Sequence, residues 1–267
     1  MARGFESSVV LVAGGGSGIG AAVAERFGGG GAQVVIGDIR GDRASETAAR
    51  LRGSGLACDS FAVDVSQERE VERWLDEVVA RHGGLDHLVD CAGISGRLTI
   101  PQMTVEQWRR VIDVNLTGAF VLLKLSQPHL AQRGGGSITV ISSVAADHIA
   151  YLGGVHYAAS KTALTGLVRH AAFEMGRQNI RVNAVGPGPM RNAMGGRERS
   201  LEDRQAAARN VPLQQVVEPQ DIAEACAFLA SPAARMVTGV YLPVDGGFLT
   251  GRGVNYRRYF ELHGEAF

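Results

Sequence analysis

Tyr157 and Lys161 stand four residues apart in the run Tyr157-Ala158-Ala159-Ser160-Lys161, a spacing that sets both on one face of a helix. A phenol with a pKa of about 10 serves as a general acid near neutrality and as a poor base. A nearby ammonium favours the phenolate, so such a pair can exchange a proton with an alcohol oxygen. Hydride transfer at the adjacent carbon requires that exchange. A second cluster is Ala13-Gly14-Gly15-Gly16-Ser17-Gly18-Ile19-Gly20, between an apolar run and a helical one. Glycines let a phosphate approach the backbone, and the unpaired N–H groups of a helix start favour negative charge. Asp38 follows Gly20 by 18 residues, where a carboxylate can bind the ribose hydroxyls of an adenosine and repel a 2′-phosphate. The expected cofactor is therefore NAD(H) rather than NADP(H), although Arg40 lies close by. The plain alternatives are a flexible turn and an ordinary strand-end acid.

These groups need a scaffold, and the pattern supplies one. Short apolar runs at Val9–Ala13, Gln33–Asp38, Ser60–Val65, Leu85–Asp90, Ser137–Ile141 and Ile180–Val185 alternate with helical stretches. The helices are expected near 18–27, 42–52, 67–82, 105–130 and 155–176. Between Gln67 and His82 the apolar stripe Val71, Trp74, Leu75, Val78, Val79 has amphipathic helical spacing. Continuous apolar strands alternating with helices predict an α/β fold: a doubly wound, mostly parallel sheet with helices on both faces. Its ligands bind beyond the carboxyl ends of the strands. All 267 residues are expected in a single domain with no linker. Hydrophobic residues at 45% and charged residues at 20% suit a globular core. A formal net charge of zero argues against nucleic-acid or polybasic membrane partners. Apolar runs are too short for a membrane span or a signal peptide. Cys58, Cys91 and Cys226 lack disulfide-framework or zinc spacing, so no metal is expected and a cytoplasmic location is.

Gly14-x-x-x-Gly18-Ile19-Gly20, Asn115, Ser142-Ser143, Tyr157-x-x-x-Lys161 and Pro187-Gly188 together resemble the short-chain dehydrogenase/reductase family, over roughly Ser8 to Phe248. The resemblance implies a Rossmann-type sheet and a set of roles. Tyr157 would be the general acid/base. Lys161 would lower its pKa and hold the nicotinamide ribose. Ser143 would bind the substrate oxygen, with Ser142 directed to the other side of the strand. Asn115 would interrupt its helix and hold a water on the proton path. Cofactor contacts would come from Gly14, Ser17, Gly18, Ile19, Gly20, Asp38, Ile39, Asp64, Val65, Cys91, Ala92, Gly93, Tyr157, Lys161, Pro187, Gly188, Met190 and Asn192. Asp64-Val65 would bracket the adenine. The chain departs from the family at Asp90-Cys91-Ala92-Gly93, where Asn-Asn-Ala-Gly is common, and at Ala13, where a threonine is usual.

Substrate is expected against Ser143, Ala145, His148, Tyr151 and His156, the two histidines serving as lining or structure rather than as catalysts. Residues 190–217 would form a mobile substrate loop. The aromatic tail 248–267 would dock on a neighbouring subunit, in a homo-oligomer that the family resemblance makes a tetramer. Apolar residues on several faces of the two long helices point the same way. The resulting expectation is an NAD-dependent enzyme acting on a secondary alcohol or ketone. The competing readings are an NADP(H)-dependent ketone or 3-oxoacyl thioester reductase and a non-catalytic cofactor-binding regulator.

Overall fold

A computed structural model describes residues 4–149, 153–191, 200–251 and Leu262. Seven parallel strands form one sheet in the order β3-β2-β1-β4-β5-β6-β7. They are β1 (Val9–Ala13), β2 (Gln33–Asp38), β3 (Cys58–Ala62), β4 (His87–Asp90), β5 (Gly136–Ile141), β6 (Ile180–Pro187) and β7 (Tyr241–Val244). Side chains of a strand alternate between faces, and β1 divides accordingly. Val9, Leu11 and Ala13 enter one core with Val35, while Val10 and Val12 enter the other with Val34 and Ile36. A sheet covered on both faces needs apolar residues at every position of its inner strands, which is why β1 reads as a continuous apolar run.

The first core is closed by α3 (Glu68–His82), α5 (Gly118–Gln132) and α6 (Gly154–Met175), through Trp74, Leu122, Leu164 and their neighbours. The second is closed by α1 (Gly18–Gly29), α2 (Gly41–Gly53) and α8 (Pro219–Ala230), through Phe27, Leu51 and Ile222 among others. The expected architecture holds. The chain runs outward from β1 to β3 and then returns to pair β4 with β1. The carboxyl ends of β1 and β4 therefore flank the point where strand order reverses, the position at which such sheets bind ligands.

Two expectations about elements are corrected. The helix expected over 105–130 is broken into α4 (Val105–Ile112), a π-helical turn at Asp113–Thr117, and α5. The third strand ends at Ala62 rather than Val65, because Asp64 turns its carboxylate onto its own chain. There Oδ1 accepts from Ser66 N at 2.9 Å and from the Ser66 hydroxyl at 2.7 Å, a local bond that competes with the sheet ladder. Within the segment 190–217, α7 covers Leu201–Ala208. Asn192, Tyr151 and nearly all of the tail beyond Gly251 lie outside the described residues. Among the described residues no helix is long and apolar enough to cross a membrane, and no three His, Cys, Asp or Glu side chains are arranged to hold a metal ion.

Candidate active site

The turn after β1 is built by its neighbours' backbones. Gly14 has φ +71°, and a Cβ there would lie 2.8 Å from Ala92 N, while a Cβ on Gly20 would run into the Gly14 carbonyl. These two positions accept no side chain, and the loop closes tightly against the end of β4 as a result. Gly18 faces open space. Ser17 sits at the N-cap of α1 without spending its hydroxyl on a cap, leaving it and the first-turn N–H groups for a ligand. Asp38, at the end of β2, closes the other side. One carboxylate oxygen accepts from Gly16 N at 3.0 Å and the other from Arg40 N at 2.9 Å. Ile39 beside it is exposed. This cradle, an open helix N-terminus with a carboxylate at its rim, fits the pyrophosphate and adenosine ribose of a dinucleotide.

Along the sheet edge, Cys91 N bonds to the Ala13 carbonyl at 2.9 Å, continuing the β4–β1 ladder past Asp90. Ala92 and Gly93 follow as small residues, Gly93 facing Asn115 and Lys161. Val65 packs under Gly118. Pro187 ends β6, Gly188 N bonds to the Val244 carbonyl at 3.0 Å, and Met190 pairs with Val217 as an isolated bridge. The structure thus brings the described members of the expected cofactor set along the carboxyl end of the sheet.

Ser143, Tyr157 and Lys161 also converge. Ser143 begins a single 3-10 turn over Val144–Ala146, its Oγ accepting from Ala145 N at 3.1 Å, and its hydroxyl lies near enough to the Tyr157 phenol to lower that group's pKa. Ser142 faces the other way, donating from Oγ to the Lys161 carbonyl at 2.9 Å. Lys161 is 3% exposed and donates from Nζ to the Ile141 carbonyl at 2.7 Å, with its ammonium 5.7 Å from the Tyr157 ring centroid. Burial pushes the Tyr157 phenol up, and Ser143 beside it offsets part of that rise. Burial lowers Lys161 itself to about 8, while Asp90 opposes the fall.

Asp90 had drawn notice only as a departure from a family motif. It is buried at the end of β4 and accepts from Ala92 N at 3.0 Å. Burial raises its carboxyl to about 6, against the pull of Lys161. Two buried groups of opposite sign thus stand at the base of the site, each offsetting part of the other's desolvation. Cys91 is held as a thiol by burial, its pKa well above the ordinary range.

Asn115 lies in the π-helical turn, which is how the helix is interrupted. Its Oδ1 accepts from Ile94 N at 2.8 Å, and its Nδ2 donates to the Ile94 carbonyl at 2.9 Å and to Ser160 Oγ at 3.0 Å. It clamps the loop after β4 to α6. Ser160, which no motif had singled out, completes that clamp by donating to the Tyr157 carbonyl at 2.7 Å. Ala145 is buried, and His148 stacks on Phe248 with ring centroids 5.3 Å apart. Of the two roles expected for His156, lining or structure, its surroundings describe the structural one. It is buried, its Nδ1 accepting from Tyr157 N at 2.9 Å and its Nε2 packed against Gly96.

A family model described as enoyl-(acyl carrier protein) reductase matches residues 13–249. The chain is 36% identical over 253 residues to cis-4-hydroxycyclohexanecarboxylate dehydrogenase of Sinomonas cyclohexanicum, covering 93% of this chain and 99% of that one. It is 34% identical over 246 residues to a 3-oxoacyl-(acyl carrier protein) reductase of Thermotoga maritima, covering 92% and 99%. Among solved structures, 7α-hydroxysteroid dehydrogenase complexed with NADH and 7-oxo glycochenodeoxycholic acid superposes with a TM-score of 0.84 at 32% identity, covering 92% of this chain and 95% of that one.

Proposed function

The chain belongs to the short-chain dehydrogenase/reductase family, and from that premise we propose that it interconverts a secondary alcohol and its ketone with NAD(H) as redox partner. The observation that carries the reading is the placing of the Tyr157 phenol beside the Ser143 hydroxyl, one helical turn from a buried Lys161 at the carboxyl edge of the sheet. When bound, the oxidised cofactor would supply the acceptor for the carbon-bound hydrogen and a positive charge that favours the phenolate.

The remaining steps belong to the chain. Ser143 Oγ holds the substrate oxygen, and Tyr157 takes its proton during oxidation and returns it during reduction. Lys161 supplies the cation that favours ionised Tyr157 and the amine that holds the nicotinamide ribose. Asp90 keeps Lys161 charged near neutrality by opposing the effect of burial. Asn115 fixes the loop after β4 and shapes the path by which the proton leaves. Gly14, Ser17, Gly18, Ile19 and Gly20 cradle the pyrophosphate, while Asp38 and Ile39 take the adenosine ribose. Asp64 and Val65 flank the adenine, with Cys91, Ala92 and Gly93 beneath the ribose. Pro187, Gly188 and Met190 lie against the nicotinamide. The pocket wall includes Ala145 and His148, with His156 behind it as support. Residues 200–217 of the expected loop, α7 among them, close over the substrate and exclude water. Phe120, about half exposed on α5, suits a subunit interface in a homotetramer.

The relative named for a hydroxycyclohexane carboxylate supports starting with small cyclic alcohols. Mixed with NAD and a panel of cyclic secondary alcohols, the protein is expected to produce NADH with at least one of them and to reduce the matching ketone with NADH. Failure in both directions across the panel would overturn the reading.

A further inference from the structure

Tyr241, the first residue of β7, belongs to none of the motifs that locate the site. It pairs with Ala184 of β6, and its ring runs along that strand across Gly186. A Cβ on Gly186 would collide with the Tyr241 ring and hydroxyl, so the bare glycine is what admits the side chain. The hydroxyl thereby crosses β6 and donates to the Ser143 carbonyl beyond the end of β5 at 2.8 Å. That carbonyl also accepts from Ala146 N at 2.9 Å, and Ser142 N bonds to the Val185 carbonyl at 2.7 Å. Ser143 is thus tied to β6 by the residue before it, to its own 3-10 turn by Ala146, and to β7 by Tyr241.

A serine side chain has one soft torsion, so the direction of Oγ follows the backbone that carries it. Fixing that backbone keeps a hydrogen-bonding hydroxyl aimed without reorganisation during reaction. We infer that Tyr241 is a positioning residue for Ser143, acting across β6 through the gap left by Gly186. The inference rests on the reading of Ser143 as the group that holds the substrate oxygen.

Tyr241→Phe keeps the ring over Gly186 and removes only the hydroxyl. The expected result is a kcat roughly tenfold lower with the KM for NAD unchanged, the scale of one aligned hydrogen bond lost from a reacting site. In the protein without added cofactor, amide exchange at Ala145 and Ala146 is expected to rise about tenfold for the same reason, while the unfolding midpoint falls by no more than about 5 °C. In a Ser143→Ala background, adding Tyr241→Phe should change kcat by less than about twofold, because the two act as one unit. If Ser143→Ala lowers turnover while Tyr241→Phe leaves both kcat and exchange at wild-type values, the positioning role is overturned and the reading of the site survives. Effects that multiply in the double variant would overturn the route through Ser143. If Ser143→Ala itself leaves kcat intact, the reading of Ser143 fails and takes the inference with it.

Discussion

Replacing Tyr157 with Phe should lower kcat for alcohol oxidation by about 10³-fold, within the range expected for loss of a positioned acid/base. The ring, its packing and the helix remain, so NADH affinity measured by fluorescence titration and the unfolding midpoint should be nearly unchanged. Among the described residues, the groups nearest Tyr157 are not placed to take over. Lys161 is committed to the Ile141 carbonyl at 2.7 Å. His156 accepts a backbone N–H from Tyr157 itself and lies buried against Gly96. Ser143 offers a hydroxyl, which holds an oxygen but does not ionise near neutrality. A non-catalytic cofactor-binding protein would have no use for this arrangement. Turnover in Tyr157→Phe within tenfold of wild type would remove Tyr157 from the chemistry.

The second large effect concerns the choice of cofactor. We expect NAD to be preferred over NADP by about 100-fold or more in kcat/KM, since a carboxylate facing a phosphate dianion without a compensating cation costs several factors of ten. Arg40 is one residue near Asp38 in the sequence that could supply that cation. In the structure its guanidinium is bound by Asp42, Nε at 3.1 Å and Nη2 at 2.8 Å, and it is the Arg40 backbone N–H that meets Asp38. Asp38→Ala should narrow the preference by about tenfold or more, mainly by improving NADP. Comparing initial rates with both cofactors checks this. Equal rates with NADP in the wild type would favour the reductase alternative that the Thermotoga relative's name suggests.

Much of this architecture was legible because a sheet buried on both faces leaves its mark on every residue of a strand. Val9–Ala13 could hardly be anything else, and the glycines after it announce a tight turn. Tyr157, Lys161 and Ser143 were legible because four-residue spacing on a helix and strand alternation are local properties. Periodicity alone misses the π-helical turn at Asp113–Thr117, since apolar residues continue through it from Val111 to Leu122, and only the family resemblance marks Asn115 as an interruption. The Asp64 turn hid behind Val63 and Val65, which are buried in the core although the ladder has ended. Electrostatics was least legible. The sequence offers a cation beside a phenol, but how far burial shifts each group, and that Asp90 shares their pocket, depends on tertiary packing. The bond from Tyr241 to Ser143 spans 98 residues and two strands, beyond any local signal.

The pairing of Lys161 with Tyr157 is the claim on which the account turns, and a pH profile addresses it directly. Oxidation needs the phenolate, so kcat at saturating NAD should rise with pH as Tyr157 ionises, whereas ketone reduction should fall through the same ionisation. Removing a cation disfavours the phenolate, so Lys161→Met should move the rising limb of oxidation upward by about one pH unit or more. Superimposable limbs, or a shift toward lower pH, would contradict the account.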